Sequence, residues 1–513
     1  MTDRRTRKRR GKGQARVANT HLHVPYITRK IRPYEILSDE ALDQIEATTD
    51  RILAEIGIEF RDDPEVVRLF REAGAQVTEK SKNIWTLKFE PGMMRQIMAT
   101  APAKFTQHAR NPAKSVKIGG DATVLVPSYG SPFVMDLDKG RRYGTIEDFE
   151  NFVKLAQSSP WLHHSGGTIC EPTDIPVNKR HLDMVYAHLK YSDRPFLGSI
   201  TAPERAEDSI DMARLVFGAD FVEQNCVIMG NFNTTSPLVI DGITSEGIRA
   251  YAAAGQGSIH LPFLLGGAVS PLTMAGSVAQ NMAETLVSAA ITQLVRPGSP
   301  AIIASFLSTL DMRSGSPTFG TPEPALGSLV MGQLARRWNL PLRCAGSFTT
   351  SKLPDGQAMS QSMMSLMSAI QSGGNFQMHS AGYLDGLLSM SYEKFMMDAD
   401  ILGAAHAYYA GLEVNEETLG FEALAEGGPG EHMFGTAHTM RHYKTAYWDS
   451  GLDDNQPWET WDEQGGVDMA SRANASWKKT LAEYQPPALD GAIDDGLRDY
   501  MAAKKGSMKD AWY

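Results

Sequence analysis

Arg313 is the cation whose setting in this sequence most suggests chemistry. It sits in a Gly/Ser/Pro-rich loop, DMRSGSPTFG, two residues after Asp311. A guanidinium there can grip a carboxylate through two parallel hydrogen bonds. A loop-stabilising ion pair with Asp311 competes with that role on equal terms. Hydroxyls, amides and aromatics also recur at the ends of short apolar runs: Ser128 and Tyr129, Ser199, Asn231 and Asn233, Phe306, Ser347 to Thr349, His379 and Tyr383. Carboxylates are scarce at those ends, so the paired acids of a glycosidase or the ligands of a divalent-metal lyase are not evident.

Other chemistry-bearing residues read more plainly. His438 and His442 stand four apart (HTMRH), a spacing that allows two metal ligands on one helix. The glutamate of H-E-x-x-H is missing and the sequence marks no third ligand, so they are read as ordinary histidines and no metal set is assigned. His163 and His164 are adjacent on a strand, so only one can face inward. Asn281 and Glu284 share the polar side of a helix. They are read as a solvated face, with reach into the site as the alternative. Met359, Met363 and Met367 form a packing stripe. Cys170, Cys226 and Cys344 are odd in number and far apart, which excludes a disulfide scaffold and points to buried thiols in a reduced, cytoplasmic protein.

These residues need a scaffold, and the middle of the chain supplies a periodic one. Apolar or β-branched runs begin near Thr123, Leu162, Arg194, Asn225, Leu261, Pro300, Pro341 and Asn375. Their spacing of roughly 30–40 residues is what a strand, a loop and a returning helix require. Eight such units predict an α/β fold, a (β/α)8 barrel over residues 116–445, with its site at the C-terminal ends of the strands. A doubly wound sheet is the rival, but no G-x-G-x-x-G follows the first strand. The spacing of Leu42, Ile45, Ile52 and Leu53 behind Ser38 predicts an amphipathic helix, and residues 34–115 are read as an N-terminal helical cap. Residues 1–33 are basic and aperiodic and read as a flexible arm; residues 446–513 read as a C-terminal helical extension.

Composition bounds the rest. The chain has 513 residues, 42% hydrophobic and 21% charged, with a net charge of −10. That is ample for a large core and excludes global disorder. No run approaches the ~20 apolar residues of a membrane span. A mildly acidic body gives no footprint for nucleic acid.

Several segments, in order, resemble the trimethylamine methyltransferase family, specifically its members without pyrrolysine. They are SPFVMDLDKGRRYGTIEDF, GNFNTTSPL, GGAVSPLTMAGSVAQNMAETL, QLVRPGSPAII, LDMRSGSPTFGTPE, CAGSFTTSKLPDGQA, YLDGLLSMSYEKFMMDADIL and GGPGEHMFGTAHTMRH. The resemblance implies a barrel enzyme that moves a methyl group from a methylated amine to the Co(I) of a corrinoid. The cobalamin-type corrinoid is carried by a separate small protein, and no D-x-H-x-x-G run for ligating cobalt occurs here. A downstream corrinoid:tetrahydrofolate-type methyltransferase would take the methyl group onward. No tightly bound cofactor is expected in this chain, and a homo-oligomer is.

The family's trimethylamine-specific members carry pyrrolysine near the start of CAGSFTTSKLPDGQA. Here that position is an ordinary residue within Ser347, Phe348 and Thr349. Relatives lacking pyrrolysine act on quaternary amines such as glycine betaine, proline betaine or carnitine. A quaternary nitrogen already carries the charge that makes it leave, so the substrate needs holding rather than covalent activation. Aromatic faces suit its trimethylammonium head: Phe133, Phe232, Phe306, Phe319, Phe348 and Tyr383 are the candidates. Arg313 would take the carboxylate, with Asn231, Asn233, Thr349 or His379 as neighbouring donors and Asp311, Glu284 and Asn281 behind them. A small methylamine substrate, or a non-catalytic betaine-binding barrel, remain as alternatives.

Overall fold

A computed structural model describes residues 24–512. Its centre is a curled, parallel-rich sheet. The strands are β1 (Ile27–Thr28), β2 (Ala122–Leu125), β3 (Phe196–Leu197), β4 (Ile228–Thr234), β5 (Gly257–Pro262), β6 (Ala301–Ala304), β7 (Leu342–Ala345) and β8 (Phe376–Met378). They lie in the order β1-β2-β8-β7-β6-β5-β4-β3, and only the β1–β2 pair is antiparallel. Alternate side chains point to opposite faces. Val124, Met229, Ile259, Ile302 and Phe376 meet on the concave side. Ile228, Ile303 and Leu342 pack outward against helices. Both faces are covered, which is why these strands read as nearly continuous apolar runs.

Seven of the eight expected strand positions are strands. The Leu162 run is not, although its backbone bridges the gap between β2 and β3. His163 N donates to Leu125 O at 3.0 Å, Ser165 N to Pro195 O at 2.9 Å, and Leu197 N to Gly166 O at 2.8 Å. The interruption has a local cause. Gly166 adopts φ of 99°, and a Cβ on Gly167 would stand 2.7 Å from the Tyr129 ring. Two glycines in those settings bend the chain out of regular strand geometry.

The flanks differ from a purely helical reading. Ser38 caps α1 (Asp39–Arg51), its side chain accepting from Ala41 N. However, Ile58–Arg61, Gln76–Ser81 and Ile84–Lys88 form an antiparallel sheet beside it, extended by Val239–Ile240. Of the expected flexible arm, residues 1–23 lie outside the described residues. Residues 27–29 are tied down: β1 adds to the sheet, and the buried Arg29 guanidinium donates to Ala122 O and Gly374 O, both at 3.0 Å. Three further helices are needed below: α2 (Gly242–Ala253), α3 (Met274–Val295) and α4 (Tyr392–Tyr409). Among the described residues, no helix is long and apolar enough to cross a membrane.

Candidate functional site

Strand β7 reads Leu-Arg-Cys-Ala. Leu342 and Cys344 point into the helix-side core, so the alternation turns Arg343 toward the concave face. Its side chain has no accessible surface and is the largest fully buried one among the described residues. Nη1 donates to Ser305 O at 3.2 Å, while Nε and Nη2 have no partner. The guanidinium carbon lies 4.9 Å from the centre of the Phe306 ring. No carboxylate among the described residues pairs with it. Burial lowers its pKa to about 10, which still leaves it charged at neutral pH. An uncompensated buried charge costs the fold several kcal/mol, so its presence calls for a reason.

Around Phe306 the rings converge. Phe348 lies 5.4 Å from Phe306 and 5.0 Å from His379. His379 lies 4.9 Å from Tyr383 and 5.6 Å from Phe306. Phe319 closes on Phe348 at 5.0 Å and Phe263 on Phe306 at 4.5 Å. His379 follows β8 directly and has φ of 65°, a conformation that costs a non-glycine residue about 1–3 kcal/mol. Both its ring nitrogens are buried without partners. Burial, reinforced by Arg343, pushes its pKa well below the usual histidine range, so the ring is neutral. Asn231 projects from β4 on the concave face of the sheet, buried, with Oδ1 unpaired. The Tyr383 hydroxyl accepts from Tyr129 N at 3.3 Å. The loop carrying Tyr383 is held from behind, where Gly382 N donates to Asp398 Oδ2 at 2.8 Å and the fully buried Lys394 neutralises that carboxylate.

The structure therefore brings Phe306, Phe319, Phe348, His379 and Tyr383 together, with Asn231 on the same face of the sheet but on β4. Arg313 does not join them. Its side chain is 96% exposed, and its Nε lies 3.8 Å from Asp311. Asp311 shapes that loop, accepting from Arg313 N at 2.8 Å. Asn233 lies on the same strand face as Asn231 but is exposed. The Thr349 hydroxyl is spent on Gln361 at 2.7 Å. Phe232 points to the other side of β4, edge-on to Tyr251, and Phe133 lies under the Arg141 guanidinium.

Asn281 and Glu284 are buried, not solvated, because α3 is wedged among α1, α2 and the sheet and hides nearly all of its circumference. Asn281 Nδ2 donates to Ala304 O at 2.8 Å. Glu284 accepts from Thr234 Oγ1 at 2.6 Å, Ser236 Oγ at 2.7 Å and Leu238 N at 2.9 Å. It thus clamps the loop that follows β4. The three cysteines are buried, and burial raises each thiol: Cys344 to about 11, Cys226 to about 12 and Cys170 well above its usual value. Thiols with such values are not nucleophiles at neutral pH.

The residue that sequence reasoning passed over is Arg343. Its signal was present: an arginine inside PLRCAG, a run otherwise suited to burial on both faces, where charge is rare.

Comparison with known proteins decides the family. The family model "Trimethylamine methyltransferase (MTTB)" matches residues 3–509. The chain belongs to the trimethylamine methyltransferase family. A glycine betaine methyltransferase of Desulfitobacterium hafniense is 40% identical over 472 residues, covering 92% of this chain and 97% of that protein. A proline betaine:corrinoid methyltransferase of Eubacterium limosum is 27% identical over 466 residues, 88% and 94% of the two chains. The trimethylamine methyltransferase MttB of Methanosarcina barkeri is 25% identical over 480 residues, 91% and 94%. In this member of the family, Ser347 bonds to Ser380 O at 2.9 Å, Phe348 lies in the ring cluster and Thr349 faces Gln361.

Proposed function

We propose that this chain transfers a methyl group from a carboxylated quaternary amine of the glycine betaine type to the corrinoid of a separate small protein. The observation that carries the reading is Arg343, a buried cation with two unpaired groups and no acid, beside a cluster of aromatic rings. Such a site lacks one thing, a small anion. A betaine brings a carboxylate for Arg343 and, a few bonds away, a trimethylammonium for the faces of Phe306, Phe348 and Tyr383. A simple methylamine would leave Arg343 unpaired, so the methylamine alternative is the weaker one. The relatives named for glycine betaine and proline betaine point the same way.

The chemistry asks little of the side chains beyond placement. Arg343 fixes one end of the substrate and the rings fix the other, leaving a methyl carbon directed at the mouth of the sheet. The corrinoid supplies a strong nucleophile to that carbon. The C–N bond breaks, its electron pair stays on nitrogen, and a neutral tertiary amine leaves. No proton moves, in keeping with a neutral His379 and the absence of an acid–base pair beside the rings.

The curled sheet is read as a (β/α)8 barrel over residues 116–445, with the 162–166 stretch as its eighth member. Residues 34–115 cap it and 446–513 extend it. The cytoplasm is the expected location, with a tetrahydrofolate-type methyltransferase downstream and no cofactor resident in this chain.

The test is methylation of free cob(I)alamin by the purified protein against a panel of betaines and tetramethylammonium. Betaine-dependent methylation that Arg343→Met abolishes supports the reading. Tight betaine binding without methylation would establish the non-catalytic alternative. Equal use of tetramethylammonium and betaine by the wild type would remove the carboxylate from the substrate's definition.

A further inference from the structure

Helix α4 starts at the level of Tyr383 and runs to the opposite end of the sheet. There Lys30 N donates to Tyr409 O, beside β1 and the first residues of β2. The chain leaves the body at this point and returns at Trp448 and Ser450, which pack against Gly403 and Asp400 in the middle of α4. Between them, residues 411–447 form an excursion with three short helices: α5 (Glu416–Leu419), α6 (Phe421–Gly427) and α7 (Ala437–His442). The excursion is pinned to itself. His442 Nε2 lies 2.7 Å from Glu417 Oε1, Arg441 Nη2 is 2.9 Å from the same oxygen, and His438 Nε2 is 2.9 Å from Glu417 O. His438 and His442 thus do meet an acidic third group, but Arg441 already balances it. Among the described residues, every hydrogen bond and ion pair of residues 412–447 stays inside the segment.

This excursion has almost no core. Only Ala423 and Thr436 are buried within it. Its large apolar residues point to solvent: Leu412, Leu419, Phe421, Phe434, Met440 and Tyr447 are each more than half exposed. Leu419 and Phe421 line a groove of about 370 Å3 between α5 and α7. Ordering each residue costs about 1–2 kcal/mol of backbone entropy, and helices this short do not stand alone in water. A segment that hides nothing of its own needs a surface to lie on. Six large apolar side chains this exposed on one segment of the chain are a feature of surfaces that are covered in an assembly. Patches beyond a few hundred Å2 on a protein surface mark interaction sites.

We propose that residues 411–447 are the contact through which two copies of this chain associate. Position selects a second copy over the methyl-accepting protein. The excursion leaves from the N-terminal ends of the strands, whereas the rings of Phe306, Phe348, His379 and Tyr383 follow the C-terminal ends. A partner that must reach the substrate docks at the other face. The choice of occupant rests on the proposed site at the rings, whereas the oligomeric state is measured without any substrate.

The experiment is sedimentation velocity of the full chain over a dilution series, with hydrogen exchange followed in parallel. The wild type is expected to be oligomeric at micromolar concentration, with residues 411–447 losing protection on dilution in step with dissociation. Phe421→Glu combined with Phe434→Glu should raise the dissociation constant at least ~100-fold, as loss of central aromatic contacts does, with the melting temperature of the dilute protein unchanged. A wild type that stays monomeric overturns the proposal, whether the segment is covered by residues 1–23 of its own chain or gains protection only with a corrinoid protein. So does an oligomer that the double variant leaves intact. Should the double variant fail to fold, the exchange pattern of the wild type decides: protection in 411–447 that is independent of dilution across the dissociation range overturns the proposal.

Discussion

Arg343 and Arg313 carry the same charge in opposite surroundings. One has no accessible surface and lacks an acid partner; the other is 96% exposed and faces Asp311. Loop position made Arg313 the attractive candidate, but a cation's power to recruit a small anion depends on what screens it. At 4 Å a unit charge pair is worth about 1 kcal/mol in water and about 4 kcal/mol at the effective dielectric of a protein interior. An exposed pair such as Arg313–Asp311 contributes at most ~1 kcal/mol. A buried guanidinium holding unused donors is destabilising until an anion pairs with it, and in the proposed function that cost becomes selectivity for a carboxylate.

The contrast makes predictions of decreasing size. Arg343→Met should reduce kcat/KM for a betaine by at least ~100-fold, the cost of deleting one partner of a buried charged pair. Tetramethylammonium, which has no carboxylate, should be used no worse than by the wild type. The same substitution should stabilise the ligand-free protein by about 1–3 kcal/mol, since it removes an unpaired buried charge. Thermal melts with and without betaine check both: the ligand should raise the wild-type melting temperature and leave the variant's unmoved. A ligand-free variant that melts well below the wild type would make Arg343 a structural residue.

Burial acts on the interior histidines too. It lowers His188 and His406 to about 4 and His260 to about 3. Their folded pKa values lie below those of the unfolded chain, so the unfolded state takes up protons first. Stability is complete above about pH 6.5 and falls as pH drops toward 4, by at most about 3 kcal/mol for His406. Denaturant titrations between pH 7 and 4 measure this, and a stability flat across that window would contradict it.

A smaller effect is expected at the rings. Phe348→Leu keeps the apolar volume but removes a face, and should weaken betaine and tetramethylammonium about equally, by roughly 3–30-fold, as cation–π contacts of ~0.5–2 kcal/mol require. A loss confined to betaine would place the ammonium elsewhere. The smallest effect belongs to Arg313→Ala, where activity should stay within about twofold and stability within ~0.5 kcal/mol. A large loss with betaine alone would restore Arg313 as the carboxylate ligand and break the contrast with Arg343.

Much of this was legible in one dimension. Strand and helix periods and the cap at Ser38 are local properties, and the elements appear where those signals lie in all but the Leu162 run. The family was legible from long ordered motifs. The convergence of the rings was legible as well, because Phe306, Phe348, His379 and Tyr383 follow three neighbouring strand runs that a parallel sheet must bring to one end. What one dimension leaves open is direction and burial. The same period-two rule that turns Asn231 inward turns Phe232 away, and register alone chooses between them. Asn281 and Glu284 look like a solvated face until α3 is wedged between other helices and the sheet. Arg343 and Arg313 are equal as letters. Only packing withdraws one from water and leaves the other in it, because desolvation is a property of everything that surrounds a group and not of the residues beside it in the chain.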